Sequence, residues 1–334
     1  MEKPMSNLSL SVAIGNYDRN RALIDGDVQI DGVNPVFMKL SPEEIFFRAF
    51  RHREFDICEL SFSSYTLSVS RGTNEYIAIP AFLSRAFRHS CIYIRNDKGI
   101  NSPADLKGKK IGVAEYQLTA NVWARALLED EYGVSPSDIT WVRGGMEVAD
   151  RPEKVKLTLP EGVVMQPAPA GRTLNSLLEE GEIDGFIGPR TLSCFDNGHP
   201  NVVRLFADSR TAGMNYYQKT GIFPIMHVVG VRRSLVEQHN WLPMALLKAF
   251  EHSKAAALTA LSDTSATKVT LPFVEEQIED AKKLLGDDHF SYGYKNNLET
   301  LDTFLDHHYR QGLSERRVKP EELFWPATME GYSI

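Results

Sequence analysis

A nine-residue stretch, Phe82–Ser90, carries the side chains best suited to binding an aromatic acid. It places Arg85, Arg88 and His89 beside two phenylalanine rings. A guanidinium binds a carboxylate through two parallel hydrogen bonds, aromatic faces stack on a planar ring, and an imidazole transfers protons near neutral pH. The stretch is therefore a candidate receptor for a planar aromatic carboxylate. The alternative is an ordinary surface loop with scattered charges.

Short β-branched runs alternate with amphipathic segments along the chain, which predicts a largely parallel sheet with helices on both faces. The predicted strands that precede candidate side chains are Leu8–Ile14, Asp56–Leu60, Tyr76–Pro80, Ile111–Val113 and Ile183–Ile187. In open α/β sheets, ligands bind at the carboxyl ends of the strands. We therefore expect the polar side chains that follow these strands to converge on one site.

Three consecutive polar residues, Tyr17, Asp18 and Arg19, follow the first predicted strand. Arg19 is a candidate ligand for a carboxylate, and Asp18 is a candidate to orient that arginine or to accept a phenolic proton. The alternative is a polar loop that contains a local Asp–Arg pair. Both interpretations remain open from the residues alone.

Glu59 lies near the end of the predicted strand Asp56–Leu60, and Ser61 and Ser63 follow that strand. The serines begin a predicted helix, so helix capping is a sufficient reason for them. A helix N-terminus also presents backbone N–H groups to an anion, so capping and substrate binding are compatible.

Glu115 follows a buried predicted strand and is expected to open a helix that runs to Glu131. Thr119 lies one turn further on the same helix face. A first-turn glutamate also interacts favourably with the helix dipole and needs no other purpose. After the last of these strands, Gly188–Arg190 adds Arg190 to the candidate ligands.

Two histidines are candidate proton donors. His89 lies beside Arg88 at the start of a predicted strand, and His227 lies in the predicted strand Met226–Val231. Either is equally explained as a core histidine with a structural hydrogen bond. The sequence contains no HExxH, paired CxxC, Walker or GxSxG motif, so no metal site is predicted.

The 334 residues are enough for two domains, and the 43% hydrophobic and 24% charged content is typical of a globular protein. A net charge of −7 disfavours nucleic acid and anionic membranes as partners. Met1–Leu10 is polar, and the three cysteines are odd in number and widely spaced. These features predict a cytoplasmic protein with free thiols.

Two motifs carry a resemblance to a known superfamily. Ile100–Val142 contains the series PADLKGKKIGV, and Gly181–Gly188 reads GEIDGFIG. Over nearly its whole length the chain resembles the type II periplasmic-binding-protein superfamily. That resemblance implies two α/β lobes joined by two crossing strands, with ligand in the cleft and a helical C-terminal region. Lobe 1 is expected to comprise residues 1–95 and 224–334, and lobe 2 residues 96–223.

A narrower resemblance rests on Tyr17–Arg19, Asp56–Ser61, Phe82–Ser90 and Glu115–Ala120. These segments are similar to the 4,5-dihydroxyphthalate decarboxylase family. The resemblance implies non-oxidative decarboxylation of 4,5-dihydroxyphthalate to protocatechuate and CO2. The alternative is a non-catalytic binding protein for a small aromatic or aliphatic carboxylate. No organic cofactor is required because the ring itself accepts the electrons, although adjacent phenols are able to chelate a divalent metal.

The chemistry of that reaction assigns roles to the candidates. Arg85 and Arg88, helped by Arg19, would hold the carboxylate, and a histidine would protonate the ring carbon. The candidate proton donors are His89 and His227, and the candidate phenol bases are Glu115, Asp18 and Glu59. The other expected substrate contacts are Tyr17, Ser61, Ser63, Thr119 and Arg190. The apolar C-terminal helices and the tail Leu323–Pro326 favour self-association into a homo-oligomer.

Overall fold

The computed structural model describes residues 7–150 and 157–330 of the chain. The polar segment Met1–Leu10, on which the predicted location partly depends, lies partly outside the described residues. Within the described ranges, no helix is long and apolar enough to cross a membrane.

Strands are interspersed with helices up to the last strand, after which the described regular elements are helical. The strands are β1 (Leu8–Ile14), β2 (Val33–Lys39), β3 (Ile57–Ser61), β4 (Tyr76–Arg85), β5 (Ile92–Arg95), β6 (Lys110–Val113), β7 (Thr140–Arg143), β8 (Val164–Pro167), β9 (Gly185–Ile187), β10 (Val202–Arg204) and β11 (Ile225–Arg232). The helices are α1 (Asp18–Ile24), α2 (Pro42–His52), α3 (Phe62–Ser70), α4 (Thr119–Tyr132), α5 (Leu174–Glu180), α6 (Ser193–Asp196), α7 (Ser209–Thr220), α8 (Arg233–Gln238), α9 (Leu242–Leu261), α10 (Val274–Leu285) and α11 (Leu298–Arg310).

The chain divides into two compact units. Unit 1 contains Met1–Arg85, Ile225–Leu301 and Lys319–Ile334, and unit 2 contains Ala86–Pro224 and Asp302–Val318. The first passage between units follows Arg85 rather than residue 95, because β5 pairs with β9 and β10 in the sheet of unit 2. The second passage follows Pro224, beside the expected boundary.

Unit 1 contains a five-stranded sheet in the order β2-β1-β3-β11-β4. Strands β1, β2 and β3 are parallel, and β11 runs antiparallel to both β3 and β4. Val12, Ile57 and Val229 on these strands have no exposed surface and belong to the core. The carboxyl ends of β1, β3 and β4 and the first residues of β11 consequently lie at the same end of the sheet.

Strand β4 is longer than the sequence predicts, because it continues past Pro80 to Arg85. Proline has no backbone N–H, but β4 is an edge strand of the sheet, where that loss is tolerated. The pairing of β4 with β11 shifts register between His227 and Val229, which accommodates the extra length in a bulge. The predicted end of this strand at Pro80 is therefore wrong, and Phe82–Arg85 is part of β4 rather than of a loop.

The C-terminal tail packs within unit 1. Leu323 and Phe324 are buried, and Phe324 forms a parallel bridge to Ala78 of β4. The Tyr65 hydroxyl donates a hydrogen bond to the Leu323 carbonyl oxygen. The side chains of Leu323 and Phe324 are thus covered within this unit. Self-association into a homo-oligomer, which was expected partly from this apolar tail, stays a prediction.

Unit 2 contains a six-stranded sheet in the order β10-β5-β9-β6-β7-β8. Strands β6, β7, β8 and β9 are parallel, whereas β5 is antiparallel to β9 and to β10. Leu174 and Leu178 of α5 share one buried apolar cluster with Phe186 of β9. The carboxyl ends of β6, β7 and β9 and the start of β5 meet at one end of this second sheet.

The segment Asp302–Val318 belongs to unit 2, whereas the expected lobe 1 includes all of 224–334. Two contacts account for this difference. The Trp123 ring of α4 packs on Phe304 with centroids 5.3 Å apart, and Arg125 Nε donates to Gln311 Oε1 at 2.8 Å.

Candidate active site

Five predicted residues meet at the end of the unit 1 sheet where β1, β3 and β4 finish, here called the polar end of unit 1. They are Tyr17, Arg19, Glu59, Arg85 and His227. The register of β11 places His227 opposite Ser61 of β3 on one side and opposite Ser84 of β4 on the other. The pairing of the strands therefore fixes where the imidazole lies relative to the strand ends.

A buried carboxylate, Glu59, is the centre of this group, and its side chain is fully inaccessible to solvent. Its oxygens accept hydrogen bonds from the Gly15 N–H at 2.9 Å, the Tyr17 hydroxyl at 2.9 Å and His227 Nδ1 at 2.6 Å. Burial opposes ionisation, but the hydrogen bonds from His227, Gly15 and Tyr17 outweigh it and lower the pKa of Glu59. Glu59 is accordingly a buried, ionised acceptor.

The two side chains that are hydrogen-bonded to Glu59, Tyr17 and His227, differ in their ability to transfer a proton. Burial and the neighbouring Glu59 charge raise the pKa of Tyr17 far above its usual value, so this phenol stays a hydrogen-bond donor. His227 directs Nδ1 at Glu59, which leaves Nε2 as the ring nitrogen available for proton transfer. Phe46 packs its ring edge-to-face against the imidazole at 4.9 Å and fixes the orientation of the ring.

Arg19 is held rigidly at the polar end. Its Nε donates to the Leu83 carbonyl oxygen at 2.7 Å, and Nη2 donates to the same oxygen. The guanidinium lies 4.3 Å from the centroid of the Tyr17 ring and 4.6 Å from that of Phe290, in cation–π geometry. Nη1 lies 3.2 Å from the carboxylate of Asp18, which is half exposed. The local Asp–Arg pair is therefore present, and it coexists with a positioned cation.

A second cation, Arg85, ends strand β4. It donates to the Asn297 side-chain oxygen and lies over the Phe82 ring at 5.3 Å. The serines nearby are also buried, since Ser61 is 7% exposed and Ser63 is fully covered. Helix α3 begins at Phe62, and the Ser61 side chain makes no capping hydrogen bond to it.

The other predicted site residues belong to unit 2. Glu115 follows β6 and is buried, and it accepts a hydrogen bond from Gln117 Nε2 at 3.1 Å. Helix α4 begins at Thr119, so the prediction that Glu115 opens the helix is wrong. The Asn121 side chain donates to the Glu115 carbonyl oxygen at 2.8 Å, which replaces a helical hydrogen bond at that point.

His89 lies in a buried aromatic environment of unit 2, at 2% exposure. Its ring meets Phe206 and Tyr216 edge-to-face at 5.0 and 5.6 Å. Burial lowers the pKa of His89 to about 4, so the imidazole is neutral at pH 7. Burial also lowers the pKa of the neighbouring Arg88, whereas Arg190, beyond β9, is exposed. These properties favour a structural role for His89 over proton donation.

One cluster in the described part of the chain offers three potential metal-ligating side chains: Glu129, Asp130 and His307. His307 Nε2 lies 2.6 Å from Asp130, while its Nδ1 faces Glu129 at 3.5 Å. Arg310 already pairs with Glu129 at 2.8 Å. Because the two ring nitrogens face different carboxylates and an arginine supplies positive charge, the cluster is best described as an ion-pair network of unit 2.

Several side chains at the polar end were not predicted from the sequence. Phe290, Tyr292 and Asn297 lie in the C-terminal helical region, where no predicted strand ends. Phe46 belongs to the apolar stripe of α2, which is the ordinary pattern of a core-facing helix. No local signal in the sequence identifies these four residues.

Comparison with solved structures defines the class of fold. The chain is similar to the periplasmic aliphatic sulphonate binding protein SsuA from Escherichia coli, with a TM-score of 0.53 and 14% identity over 99% of this chain and 96% of that one. It is also similar to the sulfonate-binding protein SsuA from Methylobacillus flagellatus, with a TM-score of 0.55 and 14% identity over 98% and 97%. Residues 77–153 match the family model "NMT1/THI5 like". The predicted periplasmic-binding-protein-like fold is thereby confirmed.

Comparison with the sequences of known proteins defines the family of the chain more narrowly than its fold does. The chain is 63% identical over 330 residues to 4,5-dihydroxyphthalate decarboxylase of Comamonas testosteroni, covering 99% of this chain and all of that protein. It is 58% identical over 214 residues to the enzyme of the same name from Pseudomonas putida, covering 64% of this chain and 83% of that protein. The chain belongs to the 4,5-dihydroxyphthalate decarboxylase family, as the resemblance in its sequence predicts.

Proposed function

We propose that this chain decarboxylates 4,5-dihydroxyphthalate to protocatechuate and CO2, with the polar end of unit 1 as the catalytic centre. The near-full-length identity of 63% to an enzyme of that name carries the assignment of the reaction. The hydrogen-bonded pair of Glu59 and His227, flanked by the positioned Arg19, supports the assignment of roles.

The chemistry needs a proton donor and cations more than a cofactor. Direct loss of CO2 would leave an unstabilised aryl carbanion. Protonation of the ring carbon that bears the departing carboxylate avoids this, because the para hydroxyl donates electrons and gives a quinoid intermediate. CO2 then leaves with the proton retained on carbon, and the ring regains aromaticity. The ring accepts the electrons, so the scheme requires no organic cofactor.

We assign proton donation to His227 Nε2 rather than to His89. His227 Nδ1 lies 2.6 Å from ionised Glu59, whose position is in turn fixed by Tyr17 and the Gly15 N–H, so Nε2 is the ring nitrogen left to act on the substrate. Asp18 is half exposed and is the carboxylate assigned to accept the phenolic proton, because Glu59 is already engaged by three donors.

Arg19 and Arg85 are assigned to the carboxylate that the product retains. A carboxylate gains most from guanidinium donors that are already oriented, and both arginines are held by hydrogen bonds at the ends of neighbouring elements. Ser61 and Ser63 remain proposed contacts at the end of β3. Within unit 2, Thr119, Arg88 and Arg190 remain predicted substrate contacts, and Glu115 remains a candidate phenol base.

The proposal is tested by mixing purified protein with 4,5-dihydroxyphthalate, with and without a chelator, while CO2 and protocatechuate are measured. We expect release of both by the wild-type chain, and a loss of about 100-fold or more in kcat for His227→Gln, in line with removal of a general acid. His89→Gln is the matched control and should retain kcat within a few-fold. Tight binding of the substrate without CO2 release would establish the alternative, a non-catalytic carboxylate-binding protein.

The chelator separates a metal-dependent reaction from a metal-independent one, and we expect no effect of it. A cytoplasmic location is also proposed. It is supported by Cys58, Cys91 and Cys194, which are all buried free thiols as expected in a reducing compartment.

A further inference from the structure

A buried tyrosine of unit 1, Tyr292, is absent from the predicted site residues. Its side chain is 2% exposed, and its hydroxyl has no hydrogen-bond partner among the described residues. Native proteins rarely leave a buried hydroxyl unsatisfied, because the group has lost its hydrogen bonds to water. A hydroxyl in this condition is a reason to look for a ligand that completes its hydrogen bonding.

The backbone of Tyr292 is tied to the strand that carries Arg85. Asn297 Nδ2 donates to the carbonyl oxygens of Tyr292 at 3.3 Å and Gly293 at 2.8 Å, while Asn297 Oδ1 accepts from Arg85. The Gly293 N–H donates to the Pro80 carbonyl oxygen of β4 at 2.8 Å. One asparagine therefore links the position of Tyr292 to that of a proposed substrate-binding arginine.

The same segment contacts the other arginine of the polar end. The Phe290 ring lies 4.6 Å from the guanidinium of Arg19, and the rings of Phe290 and Tyr292 meet edge-to-face at 6.3 Å. Lys254 Nζ lies 4.7 Å from the centroid of the Tyr292 ring. The phenol ring is thus packed between fixed neighbours, so its hydroxyl is held in one place.

The contacts of Phe290 with Arg19 and of Asn297 with Arg85 place Tyr292 next to the polar end. Burial raises the pKa of Tyr292, and the charges of Arg19, Glu251, Arg85 and Glu59 also act on it. The hydroxyl consequently stays protonated near pH 7 and is able to donate a hydrogen bond. A neutral donor whose neighbours Phe290 and Asn297 contact two guanidiniums suits a carboxylate oxygen better than it suits another donor.

We propose that the Tyr292 hydroxyl completes, with Arg19 and Arg85, the subsite for the carboxylate retained in the product, by donating a hydrogen bond to one of its oxygens. This inference rests on the proposed function and deepens it, since it makes Tyr292 a specificity-determining residue. The ligand class is an aromatic ring with hydroxyls and at least one carboxylate that does not leave.

Calorimetric binding of two product-like ligands tests the proposal without turnover. Protocatechuate carries the retained carboxylate, and catechol is the same ring without it. We expect Tyr292→Phe to weaken protocatechuate binding by about 10- to 100-fold, as for one hydrogen bond to a charged group. Catechol binding should be unchanged, because catechol offers no carboxylate to the hydroxyl.

Tyr65→Phe is the matched control. Tyr65 is an equally buried tyrosine of unit 1, but its hydroxyl donates to the Leu323 carbonyl oxygen. Removing this partnered hydroxyl should lower the melting temperature and leave protocatechuate binding unchanged. Tyr292→Phe should show the opposite pattern, with the melting temperature maintained and the binding of protocatechuate reduced.

Three outcomes would overturn the inference. Unchanged protocatechuate binding by Tyr292→Phe would show that the Tyr292 hydroxyl does not contact the carboxylate. An equal loss of catechol binding would show that this hydroxyl contacts another part of the ligand. A fall in melting temperature as large as that of Tyr65→Phe would show that the hydroxyl has an intramolecular partner. CO2 release by the wild-type chain is measured in parallel, so failure of the proposed function is recognised separately.

Discussion

Replacement of Glu59 by glutamine tests the proposed catalytic pair most directly, because it changes one oxygen to an amide group. In the native chain Glu59 Oε2 accepts from the Gly15 N–H, and Oε1 accepts from both Tyr17 and His227. Glutamine has only one acceptor oxygen for these three donors. The amide oxygen is expected to face Gly15, so that the NH2 group faces Tyr17 and His227.

That arrangement changes the imidazole as well as the carboxyl group. Nδ1 of His227 would accept from the amide instead of donating, which places the ring proton on Nε2 and removes the negative charge beside Nδ1. A hydrogen bond to a charged group contributes about 1.5–3 kcal/mol. If it acts fully in the transition state, its loss slows the reaction by roughly 10- to 150-fold.

The assay is steady-state kcat for protocatechuate formation, measured beside the free energy of unfolding in urea. Asp56→Asn is the control, since Asp56 is also a hydrogen-bonded carboxylate of unit 1, accepting from the Ser11 N–H at 2.9 Å and hydroxyl at 2.8 Å. We expect the control to lose stability but not kcat. A Glu59→Gln enzyme with wild-type kcat would refute the catalytic role of the pair.

Three further substitutions test the surroundings of the site. Burial lowers the pKa of His89 from 6.5 to about 4, so only the unfolded chain binds a proton at this residue between these two pH values. The free energy of unfolding should therefore fall by up to about 3 kcal/mol as the pH drops through this window. His89→Gln should flatten this pH dependence when unfolding in urea is measured. Arg19→Lys should raise KM about tenfold with little change in kcat, because an ammonium does not reproduce the planar stacking and the paired hydrogen bonds to the Leu83 carbonyl. An unchanged KM would contradict the proposal that Arg19 binds the substrate carboxylate. Gly15→Ala adds a Cβ 2.3 Å from the Tyr17 ring, which should displace that ring and lower kcat about tenfold, the effect of one hydrogen bond; wild-type kcat would argue against it.

The parts of the site that follow strand ends could be predicted from the sequence. Arg19, Glu59 and Arg85 come at or just after buried runs, and parallel strands bring such positions to the same end of a sheet. The bond between Glu59 and His227 could not be predicted, because it depends on the register of β11 against β3. Register is decided by long-range pairing and by the bulge opposite β4, neither of which appears in a local pattern.

Two other features could not be predicted from the sequence: the start of α4, and the part that residues far along the chain play at the polar end. Helix α4 begins later than the sequence predicts, because the Asn121 side chain donates a hydrogen bond to the Glu115 carbonyl oxygen just before the helix starts. Tyr292 and Asn297 carry no signal of their own, since a tyrosine and an asparagine in a polar segment are ordinary residues. Their importance is visible only once Arg85 is seen bonded to Asn297.

The tail that pairs with β4 also has a consequence for how the chain behaves in concentrated solution. An uncovered edge strand offers its backbone to any other strand and is a common starting point for aggregation. Here the outer side of β4 is occupied: the Ala78 N–H donates to the Leu323 carbonyl, the Trp325 N–H donates to the Ala78 carbonyl, and Pro80 has no N–H to offer. A chain shortened before Leu323 would expose this edge to neighbouring molecules. The segment 323–325 therefore protects β4 from intermolecular β-sheet growth.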